Sequence, residues 1–174
     1  MKKINISAIV ILLVVGALLG WFMFSPKTTG GGKVDIANSD VPDVTLPRLG
    51  GGEVNLTRFV GKPFVLNLWA TWCPPCRREM PLLTRMASQR RDVVFVFAAQ
   101  DRGDTAALVR KYLDSTGLVQ EWALLDGQNV LQRKLKTNGL PTTYFFDRRG
   151  KLVAKHVGAI TPDILEKSLE AITK

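Results

Sequence analysis

The sequence predicts an α/β domain with a mixed central β-sheet flanked by helices, preceded by one N-terminal transmembrane helix. Three observations predict it. From Val41 onward, apolar runs of strand length alternate with segments of helical period, and the chain closes with a strand, a turn, a strand and a helix. Residues Ile4 to Phe24, about 21 in number, carry no charge. The only two cysteines of the 174-residue chain, Cys73 and Cys76, stand two residues apart where an apolar run gives way to a helical pattern.

At roughly 1.5 Å per residue, the uncharged stretch is long enough to cross a bilayer core. A cleaved leader would have a shorter apolar region followed by a small-x-small site. Here the run ends in Trp21-Phe22-Met23-Phe24, and Trp21 suits the membrane interface. Residues 1–24 therefore read as a cytoplasmic N-terminus and an uncleaved anchor. Lys2 and Lys3 place that end in the cytoplasm, with Lys27 and Lys33 diluting the asymmetry. Residues 25–40, with Gly30-Gly31-Gly32 inside, read as a flexible tether. Residues 41–174 form the domain, placed on the extracytoplasmic side, where disulfides persist. The net charge of +9 is assigned to solvated faces, with an anionic membrane surface or an acidic partner as the alternative. No nucleic-acid motif is present, so no nucleic-acid partner is expected.

The stretch Trp69-Ala70-Thr71-Trp72-Cys73-Pro74-Pro75-Cys76-Arg77 is the chemical centre. Phe64 to Trp69 reads as a buried strand, and Met80, Leu82, Leu83 and Met86 mark one face of the helix that follows. Cys73 then sits at a helix N-terminus, where unpaired N–H groups and the helix dipole favour a thiolate. Cys-x-x-Cys pairs use that thiolate as a nucleophile. Cys73 is expected to be the exposed attacker, and Cys76, one turn in, the buried resolving thiol. A static bridge is the alternative, but so small a loop restrains little chain entropy. Pro74 and Pro75 remove two donors from the helix start, which predicts a mildly acidic thiol and a fairly reducing pair.

The other elements follow in order. Val44–Leu46 and Glu53–Leu56 pair across Gly50-Gly51-Gly52. Asn67 is the odd residue in its strand, since a buried amide needs hydrogen-bond partners. Pro81 should kink the first helix. Val93–Ala99 is a strand buried on both faces. Asp104 caps a helix running to Thr116, with Leu108, Val109, Tyr112 and Leu113 on one face. Trp122–Leu125 is a short strand and Asn129–Lys136 a short helix. Thr142–Asp147 and Lys151–Val157 form an antiparallel pair. Thr161 and Pro162 start a last helix with Ile164, Leu165, Leu169 and Ile172 facing inward. Arg77, Arg78 and Glu79 read as a solvated first turn, Met80 and Met86 as helix core, and His156 as edge packing.

With its cysteine stretch, Pro81 and Gly139-Leu140-Pro141-Thr142-Thr143-Tyr144, the chain resembles membrane-anchored thioredoxin-superfamily proteins of the TlpA, ResA and DsbE type over residues 41–174. The resemblance implies that Cys73 and Cys76 are the catalytic pair and form the redox disulfide. It also implies that the Pro141 peptide bond is cis, and that Trp72, Leu140, Pro141 and Thr142 line the substrate groove. Thioredoxin has a buried aspartate where Asn67 stands, so that proton-relay role is vacant or taken elsewhere. In part of the branch a glutamate beyond the next strand approaches the cysteines; here that region reads Gln100-Asp101, with Asp101 expected in an exposed loop or cap.

The function this implies is reduction of protein disulfides by a thiol–disulfide oxidoreductase on the outer face of the bacterial cytoplasmic membrane. A DsbD- or CcdA-like membrane donor would recharge it, cytochrome c maturation would be one setting, and no cofactor or metal would be needed. Disulfide oxidation or isomerisation is the alternative direction. Copper handling is weaker, because it wants a further histidine or methionine beside the cysteines. A peroxidase would need an arginine and threonine pattern that is absent.

Overall fold

The computed structural model describes residues 39–102 and 105–174. The predicted anchor, all but the last two residues of the tether, and the expected cap Asp104 lie outside the described residues. Among the described residues, no helix is long and apolar enough to cross a membrane.

The elements in order are β1 (Thr45–Pro47), β2 (Glu53–Asn55), a 3-10 turn (Leu56–Phe59), β3 (Phe64–Trp69), α1 (Pro74–Gln89), β4 (Val94–Ala99), α2 (Thr105–Thr116), β5 (Trp122–Leu125), α3 (Val130–Lys134), β6 (Thr142–Phe146), β7 (Leu152–Val157) and α4 (Pro162–Thr173). Strands 3 to 7 form one sheet in the order β5-β4-β3-β6-β7. β3, β4 and β5 run parallel, while β6 and β7 are antiparallel additions. The β1–β2 hairpin is a separate ribbon whose Arg48 bridges to Leu124 of β5. Asp40 is already bound to the domain: its N–H donates to the Gly150 carbonyl at 2.9 Å, and its carboxylate accepts from the Leu152 N–H at 3.0 Å.

Alternation along the strands builds a core on each face of the sheet. Val65 and Trp69 of β3, Phe95 and Phe97 of β4 and Phe145 of β6 meet helical residues including Cys76, Met80 and Leu83 of α1, Val109 of α2 and Leu165 and Leu169 of α4. Phe64, Leu66 and Leu68 face the other way, toward the hairpin and Leu131 of α3. By the same alternation Asn67 points to the α1 side, as do Thr143 and His156, its neighbours in register on β6 and β7. A polar row thus crosses an apolar face.

Two inward-facing assignments need correction. Leu108 is 42% exposed and Ile164 37% exposed. The buried stripes are Thr105, Val109 and Tyr112 in α2, and Leu165, Leu169 and Ile172 in α4. Leu108 and Ile164 each precede a stripe residue by one position, about 100° round the helix. Thr161 does cap α4, accepting from the Ile164 N–H at 3.4 Å, with Pro162 following it.

Candidate active site

β3 ends at Trp69, and the chain turns through Ala70–Trp72 into α1, which starts at Pro74. Cys73 occupies the N-cap position with extended backbone, and its Sγ accepts the Cys76 N–H at 3.3 Å. Pro74 and Pro75 fill the first two helical positions, which ordinarily carry unused donors. The prolines therefore leave the Cys76 amide to cap the sulfur. Cys73 and Cys76 are joined as a disulfide, with Cα atoms 5.3 Å apart.

The expected exposed attacker needs revision for this oxidised state. Cys73 is 3% exposed and Cys76 0%. The bond to Cys76 and the N-cap contact turn the Cys73 sulfur in over the helix end, although Cys73 remains the more accessible of the two. The neighbouring Trp72 is 65% exposed.

The Leu140–Pro141 peptide is cis. β6 begins just after it, with Thr142 opposite Leu68, so the loop lies at the same sheet end as the exit from β3. Leu140 is half-buried and packs against the cluster that holds both cysteines. Thr142 is fully buried, flanked by Leu68 and Val157, and its hydroxyl donates to the Gly139 carbonyl at 2.7 Å. Its side chain is therefore turned into the sheet, whereas Trp72 is exposed and Leu140 half-buried.

Glu79 is the residue that sequence reasoning placed wrongly. Rather than standing in a solvated first turn, it is 3% exposed. One Oε accepts from Asn67 Nδ2 at 2.9 Å and the other from the Ile160 N–H at 2.7 Å. Asn67 Nδ2 also donates to Thr143 Oγ1 at 3.0 Å. Glu79 lies three residues beyond Cys76, so the two side chains are neighbours on one helix face. Burial pushes its carboxyl above the usual glutamate range, while the Ile160 and Asn67 donors and the charge on His156 pull it back. A carboxyl group thus stands one helical turn from the resolving thiol, supplied by the cysteine helix instead of the loop after β4. Two signals pointed to it: an amide in a buried strand that required a partner, and a glutamate next to Met80 on the buried side of α1.

Asp101 is also corrected. It is fully buried, and both carboxylate oxygens accept the Thr71 N–H at 3.1 Å, with the Thr71 hydroxyl on Oδ1 as well. The Gln100 N–H donates to the Trp69 carbonyl at 2.8 Å. The loop after β4 therefore pins the turn that presents Cys73. Truncating Asp101 to alanine should cost about 1–2 kcal/mol, because it leaves the half-buried Thr71 N–H and hydroxyl without their acceptor, and should lower the urea midpoint accordingly. Asp126, buried directly after β5, caps α3 through Val130 N–H and Leu131 N–H and accepts from Gln100 Nε2.

With this geometry in place, comparison with known proteins is informative. Residues 36–172 match the Redoxin family. The chain belongs to that family. Thiol-disulfide oxidoreductase ResA of Geobacillus thermodenitrificans is 32% identical over 163 residues, covering 94% of this chain and 92% of that protein. Thioredoxin-like protein YneN of Bacillus subtilis is 30% identical over 173 residues, covering 98% of this chain and 99% of that protein. Among solved structures, DsbF of Mycobacterium tuberculosis superposes with a TM-score of 0.68 at 25% identity, covering 76% of this chain and 99% of that one. This Redoxin domain is thus of the TlpA, ResA and DsbE type within the thioredoxin superfamily, and with its Cys73–Cys76 pair it is a thiol–disulfide oxidoreductase.

Proposed function

We propose that the chain is a reductase of protein disulfides, tethered by residues 1–24 to the bacterial cytoplasmic membrane with its domain on the outer side. The direction of electron flow rests on one observation: with Pro74 and Pro75 in the first turn, the Cys73 sulfur receives the Cys76 N–H as its backbone donor at the helix start. A thiolate held by few donors is less stabilised, and a pair whose reduced form is less stabilised gives its electrons up more readily.

In the reaction, the Cys73 thiolate attacks one sulfur of a substrate disulfide. A Cys73–substrate disulfide forms, and the other substrate sulfur leaves as a thiolate. Cys76 then gives its proton to the Glu79 carboxylate and attacks the Cys73 sulfur, releasing the second substrate sulfur. Two electrons pass to the substrate and the Cys73–Cys76 bond closes. Trp72 and Leu140 contact the substrate around the exchanging sulfurs, and the backbone around the cis Pro141 lies alongside it. A membrane donor of the DsbD or CcdA kind returns the pair to the dithiol, and apocytochrome c is the substrate class favoured by the family resemblance.

The test uses the full chain in detergent, reduced and freed of reductant, mixed with a protein carrying one disulfide. Two substrate thiols should appear for each Cys73–Cys76 bond formed. A reduced chain that releases no thiols, or an oxidised chain that closes dithiol substrates faster than the reverse reaction runs, would overturn the reading. Labelling of the reduced pair in intact spheroplasts by a membrane-impermeant maleimide tests the side of the membrane.

A further inference from the structure

The polar row across the sheet does not stop at Glu79. His156, the single histidine of the chain, lies opposite Thr143, which lies opposite Asn67. Its Nε2 is 3.2 Å from the Ala159 carbonyl oxygen. The carbonyl only accepts, so Nε2 carries the hydrogen and Nδ1 is left to take the second proton. The other end of the same peptide group is the Ile160 N–H, which donates to Glu79 at 2.7 Å. One planar amide therefore has His156 on its oxygen and Glu79 on its hydrogen.

We propose that His156 is a positioning residue that couples solvent pH to the ionisation of Glu79 through the Ala159–Ile160 peptide. A half-buried histidine reaches solvent; the buried carboxylate does not. Protonating Nδ1 makes the Nε2–H a stronger donor to Ala159. That polarises the amide, strengthens the Ile160 N–H, and holds negative charge on Glu79 more firmly, since chained hydrogen bonds reinforce one another. Loss of the His156 charge loosens this hold and lets Glu79 keep a proton. The charge that His156 exerts on Glu79 has the same sense.

The other groups around Glu79 do not compete for this role. Asn67 and Thr143, from β3 and β6, are uncharged. Lys155 of β7 lies over the Tyr144 ring at 5.2 Å, on the opposite sheet face. Asp163, Glu166, Lys167 and Glu170 of α4 are exposed. On α1 itself, Cys76 titrates only when the disulfide is open.

The inference rests on Glu79 serving as the proton acceptor for Cys76, and its consequence is that the charge on His156 sets how readily the resolving step runs. The experiment follows the Glu79 carboxyl by carbon-13 NMR in the oxidised full chain in detergent, with Glu79→Gln assigning the signal. In His156→Gln, which keeps a donor for Ala159 but no charge, the midpoint of the Glu79 titration should rise by roughly half a pH unit above wild type. In His156→Phe, which removes the donor too, it should rise further. Midpoints within about a tenth of a pH unit of wild type in both variants would overturn the proposal. Disulfide reduction by the same wild-type preparation, once converted to the dithiol and freed of reductant, separates the two readings. Normal reduction with an indifferent Glu79 sinks this coupling alone; a shifted Glu79 in a chain that reduces no disulfide sinks the proposed function and leaves the coupling standing.

Discussion

Replacing Cys73 by serine should abolish disulfide reduction, lowering turnover by about three orders of magnitude or more. The hydroxyl is protonated throughout the accessible pH range and is a poor nucleophile toward sulfur, whereas a thiolate attacks readily. The fold should survive, because serine is itself a favoured N-cap and accepts a helix N–H well. Cys76→Ser should give the complementary result. The first attack still occurs at Cys73, but nothing resolves the intermediate, and a covalent adduct of chain and substrate accumulates. Non-reducing electrophoresis of the two variants with a disulfide substrate reads both outcomes. An adduct with Cys73→Ser and none with Cys76→Ser would exchange the two assigned roles.

Glu79 should give the second large effect, on stability as well as rate. In Glu79→Ala the Asn67 amide and the Ile160 N–H lose their buried acceptor, and unfolding should become easier by about 2–4 kcal/mol. Glu79→Gln keeps the volume and part of the bonding, and it isolates the titration. Because burial raises the Glu79 carboxyl above its ordinary 4.5, the folded chain holds that proton more tightly than the unfolded chain. The associated stability is complete below the ordinary glutamate value and is lost as pH rises through the folded value. Wild type should therefore lose stability across that window relative to Glu79→Gln. Asp126, also raised by burial, contributes a slope of the same sign in both proteins and cancels in the difference. Urea midpoints measured from pH 4 upward check this; a difference that grows in the opposite sense would show that Glu79 is held as a carboxylate. In kinetics, Glu79→Gln should slow resolution by Cys76 while leaving the first attack by Cys73 intact.

The strands and the cysteine corner were legible because their patterns are local. Phe64–Trp69 is a run of six buried residues, Val94–Ala99 is wholly apolar and nearly as buried, and the prolines after Cys73 mark a helix start. The cis peptide before Pro141 came from the resemblance, not from any periodicity. Glu79 and Asp101 were misplaced for a shared reason. Each is a carboxylate whose burial is made tolerable by partners far away in sequence: Asn67 and Ile160 for the one, Thr71 for the other. Charge in a first turn or a loop ordinarily means solvent, and only the assembled sheet shows which donors wait there. Leu108 and Ile164 failed differently, by a single step around a helix, where an apolar residue at the edge of a stripe costs little to expose. His156 was read as edge packing in the return strand; what it touches depends on the turn back at Ala159 and Ile160.

The most direct test of the central claim is the redox state of Cys73 and Cys76 in growing cells, fixed by acid quenching and read by alkylation with a mass tag. A reductase supplied with electrons predicts a largely reduced pair that becomes oxidised when its membrane donor is removed. A pair that is largely oxidised at steady state would contradict the account and assign the site to making or rearranging disulfides instead.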